Sequence, residues 1–367
     1  MTVKRLLLNF GSRSVDFRIG ADALGEFGRI ARVVVGRPQR AFLIWDSSVE
    51  DELKTRIERQ LIDAEFCLAS WTAPIEEEAL ASAACETLFG ELARAGITAD
   101  DVIVGVGRTQ VTSLAAFAGK FWCGGTACVL VPTCLEGMVT AATVADPLAI
   151  AGTDGRVLLA PEPNMVFCDI DLIDGPADPA GSVYLVGAAI TESRRAWERL
   201  KEAAPRLGRG EAAALVDAIC NAQTARRMVV SAVNPSARHA LSFGVTTARA
   251  LRSCLSGKQG GEAPWWQLLA EGMRFEARLA TEVGAFPVDE VFTLDDCFED
   301  LGIPELAFAL DRDAFLTALT AENARWANRL LFALPKAFGS IRLSNVDEEV
   351  LARHAEAYLA SRAELVS

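Results

Sequence analysis

The chain has 367 residues, 36 of them basic and 49 acidic, for a formal charge of −13, and 51% of its residues are apolar. At roughly 150 residues per domain the length predicts two domains, and the apolar share excludes a disordered, collagenous or coiled-coil chain. The acidic balance, with no run of Lys and Arg to track phosphates, excludes a nucleic-acid partner.

In chain order, Ala41-Phe42-Leu43-Ile44-Trp45 reads as a strand ending at Asp46, followed by an amphipathic helix over 49–64 and a strand over 66–71. Residues 77–95 show helical spacing of Leu80, Leu88 and Leu92. A buried strand over 101–107 runs into Gly105 and Gly107, a helix covers 111–120, and a strand follows over 128–132. Strands alternating with helices predict a parallel sheet covered on both faces. The breaker-rich stretch 174–181 predicts a linker. Beyond it the pattern is helical over 193–204, 210–230, 246–255, 265–284 and 312–319, with a short strand over 330–334 and a closing helix over 348–361. The predicted fold is therefore an α/β Rossmann-like domain over 1–175 and a mainly α-helical domain over 182–367, with a cleft between them.

No apolar run approaches the roughly 20 residues that span a bilayer. Lys4 and Arg5 precede only Leu6-Leu7-Leu8 before Asn9, too short for a secretory signal. Nine cysteines without a Cys-x-x-Cys pair predict buried thiols in the cytoplasm, neither a disulfide framework nor a cysteine zinc site. Only His239 and His354 supply imidazole. Cys123, Cys128 and Cys134 cluster around one strand without a base near them in sequence, so they read as structural thiols. Trp265 and Trp266 open a helix and suit either packing or the stacking of a flat ligand.

Several landmarks occur in fixed order: Gly105-Val106-Gly107, Val131-Pro132-Thr133-Cys134-Leu135, Val166-Phe167-Cys168-Asp169, Leu241-Ser242-Phe243-Gly244, Glu271-Gly272-Met273 and Leu334-Pro335-Lys336-Ala337-Phe338-Gly339. Together they resemble the dehydroquinate synthase family of sugar-phosphate cyclases over nearly the whole chain. The resemblance implies NAD in the first domain, a zinc-type metal in the second, a dimer, and oxidation, phosphate elimination, reduction and cyclisation of a seven-carbon sugar phosphate.

The residues depart from that pattern. A Gly-Gly-Gly turn followed by an aspartate, which leaves room for a pyrophosphate, reads Gly107-Arg108-Thr109 with Ser113 in the aspartate's place. The upstream cofactor contact reads Ile75-Glu76-Glu77-Glu78-Ala79 and has lost its lysine. Asp46, Gly105 and Gly107 are what is left for a nucleotide, and Asp46 reads equally as a turn aspartate. The family's metal glutamate falls near Ile190, within about two residues of alignment, and its two histidines fall at Val245 and Trp265. None of Ile, Val or Trp offers a lone pair to a cation, so neither zinc nor NAD is expected.

Among the substrate positions a lysine is replaced by Asp146, a Lys-Asn pair reads Arg156-Val157, a late Asp-Lys-Lys reads Glu322-Asn323-Ala324, and Cys123 stands where an arginine is expected. Arg226, Arg238 and Arg249, with Arg156, are candidates for binding a phosphate or carboxylate, or they pair with surface acids. Asp146 and Glu271 are the candidate acids for catalysis. Two functions follow. One is a non-catalytic binding or scaffolding homologue, dimerised with itself or with a related chain. The other is a metal- and NAD-independent enzyme of lyase or isomerase type acting on a small anionic metabolite in the cleft. An active dehydroquinate synthase or related cyclase is a further alternative that requires a metal site almost without histidine.

Overall fold

A computed structural model describes residues 3–11, 13–36, 39–74, 80–153, 155–159, 161–173, 178–234, 239–256 and 263–366. The chain divides into two compact units, Met1–Asp178 with Leu215–Cys220, and Pro179–Ala214 with Asn221–Ser367.

The first unit is built on a seven-stranded sheet. Strands β1 (Lys4–Asn9) and β2 (Ser14–Gly20) form an antiparallel pair, and β3 (Arg40–Trp45), β4 (Cys67–Thr72), β5 (Val102–Gly107), β6 (Ala127–Pro132) and β7 (Met165–Asp169) complete it in the order β1-β2-β7-β6-β5-β3-β4. Every neighbouring pair except β1 and β2 is parallel. The helices are α1 (Phe27–Val35), α2 (Asp51–Asp63), α3 (Ser82–Arg94), α4 (Thr109–Phe121) and α5 (Leu135–Thr140). Apolar runs in the middle strands become fully buried, as a sheet covered on both faces requires. Leu43, Val104 and Val129 meet Phe27, Ile57, Leu61 and Phe167 in one core.

The second unit is helical: α6 (Pro179–Glu192), α7 (Arg194–Leu207), α8 (Ala212–Val230, except Leu215–Cys220, which belong to the first unit), α9 (Val245–Leu255), α10 (Trp265–Glu282), α11 (Val288–Asp300), α12 (Arg312–Ala324) and α13 (Glu348–Glu364). An antiparallel hairpin of β8 (Leu331–Ala337) and β9 (Ser340–Asn345) joins them. Within this unit Trp197 stacks on Phe338 at 4.5 Å, and Phe275 gathers Phe315, His354 and Tyr358. Helices α9 and α10 approach until a Cβ on Gly272 would lie 2.0 Å from the Gly244 carbonyl oxygen. Glycine is required there by contact.

The expected linker is corrected in part. Asp174-Gly175-Pro176-Ala177 lies outside the described residues, whereas Pro179, Ala180 and Gly181 open α6. Proline suits a first helical turn because its missing N–H would be unpaired there. The helix expected from Glu77 begins at Ser82, with 75–79 outside the described residues. No helix among the described residues is long and apolar enough to cross a membrane.

Candidate functional site

In the first unit the candidate nucleotide residues converge at the ends of β3 and β5. The Asp46 amide donates to the Val106 carbonyl at 2.9 Å, which sets Asp46 beside Gly107. Its carboxylate is engaged by the chain itself. Oδ1 accepts from the Ser48 amide at 2.9 Å and hydroxyl at 2.7 Å, and Oδ2 accepts from the Arg108 amide at 3.1 Å. The Arg108 Nε lies 3.7 Å from the same oxygen. Burial pushes this carboxyl up, but the Ser48 and Arg108 contacts outweigh burial and hold it below the usual carboxylate range. The geometry is that of a turn aspartate at the head of α4.

The retained glycines have packing reasons of their own. A Cβ on Gly107, whose φ is +150°, would lie 2.2 Å from the Asp46 Cβ, and one on Gly105 would lie 2.4 Å from the Ala115 Cβ. Gly107 makes room for Asp46 and Gly105 lets α4 lie against β5. These residues do not reproduce a glycine cradle for a pyrophosphate, because the Arg108 side chain stands in the turn and leans on Asp46.

Ser113 and Asp146, both departures from the family pattern, meet: the Ser113 hydroxyl donates to Asp146 Oδ2. Asp146 stands where the resemblance puts a lysine, and Ser113, where it puts an aspartate, is a neutral donor to it. The Asp146 carbonyl also accepts from the Leu159 amide at 2.8 Å, so the loop is tied at two points. Arg156 is exposed and donates to the Thr153 carbonyl at 3.3 Å. Of the clustered thiols, burial pushes Cys134 up to about 11 and Cys128 further still, and Cys123 lies exposed in a short turn at φ +50°. An open cavity of about 740 Å³ on α2, flanked by Asp51, Arg56, Arg59 and Asp63, contains none of the sequence candidates.

In the second unit the expected ligand positions are one buried residue, Ile190, and two half-buried ones, Val245 and Trp265. Trp265 and Val245 are the first residues of α10 and α9. Ile190 is fully buried, and its carbonyl accepts from the Gly339 amide. The α6 residue that faces Trp265 is instead Tyr184, whose hydroxyl accepts from the indole Nε1 at 3.1 Å. Arg226, on α8, is 3% exposed with its guanidinium 5.6 Å from the centre of the Tyr184 ring. Burial lowers its pKa to about 10, opposed by Tyr184. Neither the indole of Trp265 nor the isopropyl group of Val245 offers a cation a lone pair. Among the described residues, no group of three His, Cys, Asp or Glu side chains could hold a metal. Arg249 lies over the Trp326 ring at 5.6 Å, a different partner from that of Arg226. Arg238 lies outside the described residues.

Glu271 is fully buried, and its carboxylate is consumed by structure. Oε1 accepts from Arg274 Nη1 at 3.1 Å and the Leu306 amide at 2.8 Å, while Oε2 accepts from the Tyr358 hydroxyl and lies 3.7 Å from Arg362. Burial and the adjacent Glu271 charge push the Tyr358 hydroxyl well above its ordinary pKa. The arrangement ties α10, α13 and the chain at Leu306 together, with no atom left for general acid work. His354 is likewise occupied, its Nε2 3.0 Å from the Phe275 carbonyl oxygen.

Sequence reasoning missed Glu276. It is fully buried on α10, accepting from the Gly244 amide at 2.7 Å and from the Thr247 hydroxyl at 2.9 Å and amide at 3.4 Å. It caps the start of α9, where a carboxylate complements the amide ends. Burial nevertheless raises its pKa to about 8 against those three hydrogen bonds. No local pattern announces a cap supplied from 32 residues away.

No protein-family model matches the chain. It is 27% identical over 363 residues to the 3-dehydroquinate synthase of Xanthomonas axonopodis pv. citri, covering 91% of this chain and 95% of that one. Over 175 residues it is 33% identical to the 3-dehydroquinate synthase of Thermobifida fusca, 47% of this chain and 46% of that one. A crystal structure of 2-deoxy-scyllo-inosose synthase complexed with carbaglucose-6-phosphate, NAD+ and Co2+ shares the fold, with a TM-score of 0.83 and 17% identity over 97% of this chain and 100% of that one.

Proposed function

We propose that the chain is a non-catalytic member of the dehydroquinate synthase family of sugar-phosphate cyclases, which it resembles over nearly its whole length, a binding or scaffolding homologue that uses neither zinc nor NAD. One observation carries the reading. Trp265, where the resemblance puts a metal ligand, is hydrogen-bonded to Tyr184, and Arg226 lies over the phenol ring. A cation there would meet an indole N–H and a guanidinium, both donors without a lone pair to offer. In the first unit, the Asp46 contacts to Ser48 and Arg108 support the same reading for the nucleotide.

The proposal includes the dimer, with a second copy or with an active relative. The chain's own residues would then hold the fold and present surfaces, and Arg226 and Arg249 would brace aromatic rings instead of gripping a phosphate. The test is phosphate release from the seven-carbon sugar phosphate with NAD and cobalt added. The account predicts no release above the protein-free background. Turnover that scales with protein concentration and disappears on chelation would overturn it.

A further inference from the structure

The second unit carries a surface that none of the catalytic arguments absorbs. Helix α11 has six acids, Asp289, Glu290, Asp295, Asp296, Glu299 and Asp300, and no Lys or Arg. Two face inward and are neutralised: Glu290 pairs with Arg194, and Asp295 pairs with Arg274 and Arg278. The other four form no ion pair among the described residues and are exposed. Val291, Leu294, Cys297 and Phe298 bury the opposite side.

At about 100° per residue, Val288, Glu299, Phe292, Asp296, Asp289 and Asp300 fall within a single arc of roughly 120°. Inside that arc Phe292 is 58% exposed and Val288 is 52% exposed. They are an i, i+4 apolar pair and therefore neighbours on the helix surface. A solvated acidic face has no need of a phenyl ring. An apolar pair bordered by uncompensated charge of one sign has the composition of a docking face, with an anchor at its centre and a charged rim.

We propose that the outer face of α11 docks a basic amphipathic segment of another protein. The apolar side chains of that segment would cover Val288 and Phe292, and its Lys or Arg residues would meet Asp289, Asp296, Glu299 and Asp300. Charge selects this occupant over a second copy of the same face. A two-fold contact would set four acids against four, and like charges opposed across an interface oppose binding. The inference goes beyond the non-catalytic reading and does not depend on it, since an active enzyme could present the same helix.

The test uses the full chain and a fluorescein-labelled synthetic helical peptide with Leu at i and i+4 between lysines, alongside a shuffled peptide of the same composition. Fluorescence anisotropy should show the ordered peptide binding at least about tenfold more tightly than the shuffled one. Phe292→Ser, and separately Asp289→Asn with Asp296→Asn and Glu299→Gln, should each weaken binding by about tenfold with circular dichroism unchanged. The charge variant should also flatten the salt dependence. Ile62→Ser with Asp63→Asn alters an exposed apolar residue beside an acid on α2 and should leave binding as it was.

Equal binding of the two peptides, no binding of either, or no response to Phe292→Ser would overturn the proposal. So would sedimentation showing self-association that Phe292→Ser abolishes, because a second copy would then occupy the face. None of these outcomes bears on turnover, so docking and the absence of catalysis fail separately.

Discussion

Glu276 converts the packing of α9 against α10 into a pH-dependent stability. Its folded-state pKa of about 8 lies above the ordinary value of 4.5. The sign follows from proton counting. Below about pH 4.5 both the folded and unfolded chains hold the proton and the carboxyl costs nothing. As pH rises, the unfolded chain releases it first, and stability falls until the folded carboxyl ionises near pH 8. The shift of about 3.5 units corresponds to about 5 kcal/mol above pH 8, and to about 3 kcal/mol at pH 7.

Glu276→Gln removes the titration while keeping an amide oxygen for the Gly244 N–H. The variant should match the natural chain to within about 1 kcal/mol near pH 4, and should exceed it in stability by about 3 kcal/mol at pH 7. Urea unfolding followed by circular dichroism over that range reads the difference directly, and contributions from His354 cancel because both proteins carry it. A gap that stays constant from about pH 4 to about pH 8 would refute the reasoning, since it would mean the folded carboxyl titrates as it does in the unfolded chain.

Other perturbations have comparable readouts. Glu271→Ala removes the buried acceptor shared by Arg274, the Leu306 amide and the Tyr358 hydroxyl and should cost about 3–5 kcal/mol in urea unfolding; a loss under about 1 kcal/mol would free Glu271 for another role. Gly107→Ala sets a Cβ 2.2 Å from that of Asp46 at φ +150° and should cost about 3 kcal/mol or more, whereas a change within about 0.5 kcal/mol would contradict the packing reason given for this glycine. Burial lowers the His354 pKa to about 4 from 6.5, so its imidazole NMR shifts should stay constant from pH 8 down to about pH 5. Being a base with a lowered folded pKa, it contributes stability that is complete above pH 6.5, and about 3 kcal/mol is lost as pH falls towards 4.

The middle strands were legible because a parallel strand covered on both faces is an unbroken apolar run, as in Val102 to Val106 and Cys128 to Val131. β1 and β2 were not legible, because Lys4, Arg5, Asp16 and Arg18 interrupt their apolar residues. Asp16 becomes tolerable only once Arg5 and Arg18 reach it at 2.9 and 3.1 Å. α6 escaped notice for the opposite reason: buried nearly all round, it lacks the polar stripe that marks a surface helix.

The site divides in the same way. What Val245 and Trp265 can offer a cation is legible because a residue type either donates a lone pair or does not. Tyr184 was not legible, since its pairing with Trp265 joins two helices far apart in the chain and no local pattern announces it. Glu276 escaped because its partners, Gly244 and Thr247, belong to another helix. Glu271 looked available in sequence, and it is the tertiary network of Arg274, Arg362, Tyr358 and Leu306 that consumes it.

The central proposal is that these residues hold neither the zinc-type metal nor the NAD that the resemblance implies. Freshly purified protein, denatured and examined by elemental analysis for zinc, cobalt and iron and by mass spectrometry for NAD, tests that claim most directly. The account predicts folded protein that releases neither in stoichiometric amount, even after expression with added zinc or cobalt. Stoichiometric metal together with stoichiometric NAD would contradict it, and would require Tyr184, Trp265 and Arg108 to move aside for the ligands they are here taken to replace.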